Sequence, residues 1–124
     1  MDNAYHAVKP GGTIVLVAEC KEGIGNTVCE QWINEANSIQ DIEERLKKCF
    51  ILGGHKAYAI AKVAKEVDLI LLSSLNKELT KKLFMEPAED IEQAIKLIRE
   101  KHGDGFRSYI IPSGSTILPQ IKKD

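Results

Sequence analysis

Two ionisable side chains set where a helix begins, His55 and Lys56 in the run Leu52-Gly53-Gly54-His55-Lys56-Ala57-Tyr58, are the residues of this chain best disposed to do chemistry. In a first helical turn the backbone N–H groups lack intrahelical partners and the macrodipole adds partial positive charge. A carboxylate or phosphate therefore finds donors there before any side chain contributes. His55 and Lys56 would strengthen that field, and Gly53 and Gly54, lacking a Cβ, would let a ligand or another backbone approach closely. The same residues also fit a plain turn followed by a solvated helical face. Taken alone, they leave both readings open.

The elements that must hold this turn follow from periodicity. Thr13-Ile14-Val15-Leu16-Val17-Ala18, after Pro10-Gly11-Gly12, is continuously apolar and rich in β-branched residues, which predicts a central strand buried on both faces. A loop containing Gly23 and Gly25 leads into a helix near Thr27, with Val28, Trp32, Ile33 and Ala36 at helical spacing. Ser38 and Asp41 mark a second helix start, with Ile39, Ile42, Leu46 and Cys49 on its apolar face. Beyond Gly53-Gly54, Ala57, Ile60, Ala61 and Ala64 line a third helix whose small residues suit close packing.

Asp68-Leu69-Ile70-Leu71-Leu72-Ser73-Ser74 is a second short apolar run that reads as a strand, and Asn76 caps a short helix through about Leu83. Phe84-Met85 fits a small extra strand. Asp90, Ile91, Ala94, Ile95 and Ile98 mark a longer helix stopped by Gly103, and Arg107-Ser108-Tyr109-Ile110-Ile111 predicts a further strand. Strands alternating with helices define an α/β fold: a small three-layer α/β/α domain with a mostly parallel, Rossmann-like sheet.

Composition narrows the function classes. The 124 residues suit one domain with a core of its own, since a chain this long buries roughly two-thirds of its unfolded surface. The 17 basic and 18 acidic side chains nearly cancel, so no global field favours nucleic acid or an anionic membrane. The longest apolar run is far shorter than the ~20 residues of a membrane span, and Met1-Asp2-Asn3 begins no signal peptide, which predicts a cytoplasmic protein. Cys20, Cys29 and Cys49 form no CxxC pair and have no His at ligand spacing, so buried reduced thiols are expected, with neither disulfide framework nor metal site.

Other chemistries find little support. Gly23-Ile24-Gly25 lacks the third glycine and the acidic strand end of a dinucleotide fingerprint, and no P-loop lysine pattern is present; turn geometry accounts for both glycines. Ser73, Ser74, Ser113 and Ser115 stand outside any Gly-x-Ser-x-Gly elbow and read as hydrogen-bonding turns. Trp32 reads as core. His102 suits a helix C-terminus, and Glu43, Glu44, Glu89 and Asp90 read as acids on solvated helix faces. No residue is assigned a catalytic role.

Four blocks together resemble a known family. Ala7 to Gly25, Leu52-Gly53-Gly54-His55-Lys56-Ala57, Leu71-Leu72-Ser73-Ser74-Leu75 and Ile111 to Pro119 are similar, in order and spacing, to the C-terminal domain of the nickel-dependent lactate racemases. The resemblance implies a two-domain enzyme whose larger N-terminal domain carries a nickel pincer nucleotide and the two histidines that act as acid and base. Hydride passes from the α-carbon of a 2-hydroxy acid to the pincer and returns to either face. The C-terminal domain then caps the cofactor and helps bind the substrate carboxylate.

On that basis residues 1–124 are expected to be one domain and a fragment without its N-terminal cofactor domain, inactive alone, with that domain and a small 2-hydroxy acid as partners. An apolar surface left by the missing domain could make the isolated chain a homodimer. His55 and Lys56 become substrate-binding residues, with Gly23, Gly25, Gly53 and Gly54 as loop candidates. The family's best-known member carries tryptophan at the position matching His55, which implies a larger or more polar 2-hydroxy acid than lactate. The family's glutamine and lysine substrate contacts lie on a helix nearly absent here, and Lys9 does not replace them. The alternative is a stand-alone, non-catalytic α/β module binding a small anion or a partner.

Overall fold

The structure, a computed structural model, describes residues 5, 7–19, 27–48, 54–108 and 110–111, with Thr27 and His55 described by backbone alone. The elements are β1 (Thr13–Val17), α1 (Thr27–Glu35), α2 (Ile39–Lys48), α3 (Gly54–Glu66), β2 (Asp68–Leu72), α4 (Lys77–Lys82), β3 (Glu86–Ala88) and α5 (Ile91–His102).

The three strands form one parallel sheet in the order β1-β2-β3. Thr13 pairs with Asp68 through to Val17 with Leu72, and Ile70 pairs with Glu86 through to Leu72 with Ala88. Because side chains alternate along a strand, each face takes its own helices. Ile14, Leu16, Leu69 and Leu71 pack with Trp32, Ile33, Ile42, Ala57 and Ala61 from α1, α2 and α3. Val15, Ile70, Leu72 and Ala88 pack with Ala94, Leu97 and Ile98 of α5. The three-layer α/β/α prediction holds.

Three strand predictions require correction. β2, buried along Leu69, Ile70 and Leu71, is the central strand, whereas β1 lies at the sheet edge among the described residues and its Val17 is 65% exposed. Apolar continuity reports what a strand carries but not which neighbours it has. The small strand after α4 begins at Glu86, because Phe84 takes a left-handed conformation, φ 63°, that ends the helix. Phe84 N–H donates to Lys81 O at 3.0 Å and Met85 N–H to Thr80 O at 3.2 Å, the paired bonds of a left-handed helix stop. The described residues 107, 108, 110 and 111 form no strand, and Ile110 is 94% exposed, without the partner edge that a strand needs.

The helix starts follow side-chain chemistry. Ser38 Oγ accepts from Asp41 N at 3.3 Å while Asp41 Oδ2 accepts from Asn37 N at 2.9 Å, a reciprocal arrangement at the start of α2. Asn76 Oδ1 accepts from Leu79 N at 2.7 Å, and Asp90 Oδ1 from Gln93 N at 2.8 Å, as caps of α4 and α5. Gly103, at φ 75°, ends α5.

Candidate functional site

In an open parallel sheet the loops beyond the strands' carboxyl ends form the ligand-binding edge. α3 leads directly into the amino end of β2, so it runs antiparallel to the strands. Its last residue confirms this direction: Gly11 N–H, just before β1, donates to Glu66 O at 2.9 Å, and Asp68 N–H donates to Gly12 O at 2.9 Å. The start of α3 therefore lies at the carboxyl edge, together with Glu19 after β1 and Ser73-Ser74 after β2.

Those last two loops are tied to each other. Ala18 N–H donates to Leu72 O at 3.0 Å and Ser74 N–H to Glu19 O at 3.1 Å, and the Ser74 hydroxyl donates to the same carbonyl. Ser73 Oγ accepts from Leu75 N at 3.1 Å. Ser73 thus forms a hydrogen-bonded turn, as expected, whereas Ser74 ties its loop to the one after β1. Lys77 and Glu89, an exposed ion pair at 2.8 Å, connect the start of α4 to the segment after β3 and border a hollow of about 70 Å³.

His55 and Lys56 fall in the first turn of α3, which contains no acidic residue to offset the helix dipole. Lys56 is exposed and makes no ion pair with a described residue. Its charge reaches Cys29, a buried thiol of α1. Burial pushes the Cys29 thiol up, against the smaller opposing influence of Lys56.

Gly54 serves a purpose that the sequence does not reveal. It is buried, and a Cβ there would lie 2.5, 2.6 and 2.8 Å from Cη2, Cζ2 and Cζ3 of Trp32, well inside contact distance. The close approach that this glycine permits is to the Trp32 ring. Trp32 is itself 1% exposed, as a core residue should be, and the Arg45 guanidinium lies 4.8 Å from its ring centroid. No sequence signal couples positions 32 and 54; a glycine at the first residue of an otherwise good helix former was the available hint. Gly23, Gly25 and Gly53, along with Cys20, Cys49 and the loop from Pro112, lie outside the described residues.

The larger hollow, about 460 Å³, is at the opposite edge, between Thr13, Asp68, Phe84, Glu86, Leu97 and Lys101. There Lys101 pairs with Asp68, and Thr13 Oγ1 shares a 2.8 Å hydrogen bond with His102 Nε2. These contacts fasten the last turn of α5 to adjacent strand starts, which accounts for His102 structurally. Among the described residues no three His, Cys, Asp or Glu side chains come together as a metal site.

Comparison with known proteins agrees with this fold. The family described as the lactate racemase C-terminal domain matches residues 1–118. The lactate racemase of Thermoanaerobacterium thermosaccharolyticum is 26% identical over 121 residues, covering 94% of this chain and 28% of that protein. The solved structure of the lactate racemase apoprotein from the same organism superposes with a TM-score of 0.88 at 27% identity, covering 97% of this chain and 30% of the other. The chain spans less than a third of the length of these relatives. With the family matched over nearly all its residues, the chain belongs to the lactate racemase C-terminal domain family.

Proposed function

We propose that this chain is the substrate-capping domain of a lactate racemase-like 2-hydroxy acid racemase or epimerase, and that His55 and Lys56 help bind the substrate carboxylate. The observation that carries the reading is the position of the α3 start: a turn with Lys56, His55 and no acid, at the carboxyl edge of a domain of this family. Free N–H groups, dipole and ammonium all favour an anion there. The relatives, more than three times as long, supply the motive for a partner domain.

The partner surface follows from exposed apolar side chains at the same edge. Val17 ends β1, Ile91 begins α5 and Ile95 stands one turn on; all three are exposed. An N-terminal cofactor domain closing over them would remove apolar area from water and bring its reactive centre to the α3 turn. In this reading the nickel pincer nucleotide belongs to that other domain, as the likeness to lactate racemases implies. No described helix is long and apolar enough to cross a membrane.

The test joins this chain to its cofactor domain and replaces His55 and Lys56 with Ala. Loss of a charged contact to carboxylate costs about 1.5–3 kcal/mol, so KM for the preferred 2-hydroxy acid should rise about tenfold or more. Unchanged kinetics across several 2-hydroxy acids would sink the assignment.

A further inference from the structure

We infer that Trp32 is a positioning residue for substrate binding: its indole sets where α3 begins and hence where His55 and Lys56 stand. The inference rests on the substrate-capping reading and names the device by which the capping turn is held in place.

Three helices meet on this one ring. Trp32 belongs to α1, Arg45 of α2 lies with its guanidinium 4.8 Å from the ring centroid, and Gly54 opens α3 against Cη2, Cζ2 and Cζ3. Arg45 also pairs with Glu35 at the end of α1, which ties α2 to the helix that carries the indole. At 1% exposure the ring has no solvent into which it could turn. Protein interiors are close-packed, so a first turn that rests on such a ring through a Cβ-free residue has one available depth. Lys56 follows two residues later, about 3 Å along the helix axis. A shift of α3 at Gly54 therefore shifts Lys56 by nearly the same amount. Misplacing a substrate-orienting group by about 1 Å costs up to about a hundredfold.

The inference separates the roles of adjacent residues. Gly54 faces inward to the indole, while Lys56 is exposed beyond it. Adding a methyl at position 54 should displace the turn, because the atoms it meets belong to a buried ring rather than to the free end of a flexible chain. Shrinking the ring should restore the space. That reciprocity distinguishes positioning from a general loss of stability.

The experiment compares Gly54→Ala, Trp32→Phe and the double variant in the two-domain enzyme, measuring kcat and KM for a 2-hydroxy acid along with the thermal midpoint. Gly54→Ala should raise KM roughly ten- to a hundredfold with little change in kcat, and adding Trp32→Phe should return most of that loss. Effects on KM that simply multiply, or a folded Gly54→Ala enzyme with unchanged KM, would overturn the inference. His55→Ala and Lys56→Ala are assayed in parallel. If they leave kinetics untouched, the substrate reading falls by itself. The placement of the turn is then read from amide hydrogen exchange of residues 58–61, whose N–H groups bond the carbonyls of 54–57, in the full chain. Faster exchange there in Trp32→Phe, with α5 unaffected, supports the platform; unchanged exchange refutes it.

Discussion

Phe84 allows the backbone argument to be tested by a change of sign. It sits at φ 63°, the left-handed position one past Leu83, the C-cap of α4, while its half-buried ring packs on the larger core. Phe84→Ala keeps the unfavourable backbone and gives up about half the burial of a large apolar side chain, a cost of roughly 1–2 kcal/mol. Phe84→Gly gives up the same contacts but also relieves the left-handed strain, about 1–2 kcal/mol, less about 0.5–1 kcal/mol of extra backbone entropy in the unfolded chain. Glycine should therefore be more stable than alanine at 84 by about 0.5–1 kcal/mol, a difference of a few degrees in thermal midpoint for a domain of this size. At Lys96, exposed within α5, the order should reverse, with alanine ahead by about 1 kcal/mol. Urea unfolding of the four variants gives both differences. Alanine equal to or better than glycine at 84 would refute the left-handed stop, and with it the explanation for β3 beginning at Glu86.

Three further outcomes follow. Asp90→Ala should lower stability by about 1 kcal/mol while Asp90→Asn costs only a few tenths, because the amide oxygen can still accept from Gln93 N; equal losses in urea unfolding would remove the capping role. The hydrogen bond from Arg45, followed by that from Gln31, holds the Glu35 carboxyl below its usual range. Its contribution to stability is present above the unfolded carboxyl pKa and disappears as pH falls through the folded one; in Arg45→Met its NMR titration midpoint should move up, and an unmoved midpoint would contradict the pairing. Cys29, raised by burial, contributes stability below the unfolded thiol pKa that is lost as pH rises through the folded one, so it should resist iodoacetamide in the native chain, and rapid labelling at that residue, read by peptide mass, would contradict its burial.

What could be read in the sequence was local chemistry. Ser38 and Asn76 announced helix starts because a short polar side chain beside its own backbone is itself the capping device, whereas Asp90, which reads in the sequence as an acid on a solvated helix face, is found capping α5. Gly103 announced a stop for a similar reason. The stop at Phe84 gave no such sign, since the usual left-handed residue is glycine and here packing holds a phenylalanine in its place. Neighbours in space were equally hidden. Thr13 to Ala18 is as apolar as a central strand, yet among the described residues β1 stands at the edge. Arg107 to Ile111 has strand composition, but its described residues form no strand, because composition supplies no partner.

The turn at the start of α3 was legible as a helix start, because Gly53-Gly54 interrupts one periodic stretch and Ala57, Ile60, Ala61 and Ala64 open another. Its support was not. Ala57 and Ala61 are wholly buried and allow the 13-residue helix to lie close to its neighbours, while Gly54 allows its first turn to rest on Trp32. Three small residues thus place a charged turn on a rigid helix rather than on a loop, the kind of support that lets a binding group hold its position. In Gly54-His55-Lys56 the residue that appeared free to admit a ligand is filled from inside the domain, so the proposed carboxylate contact falls to the outward-facing backbone donors and Lys56 of the same turn.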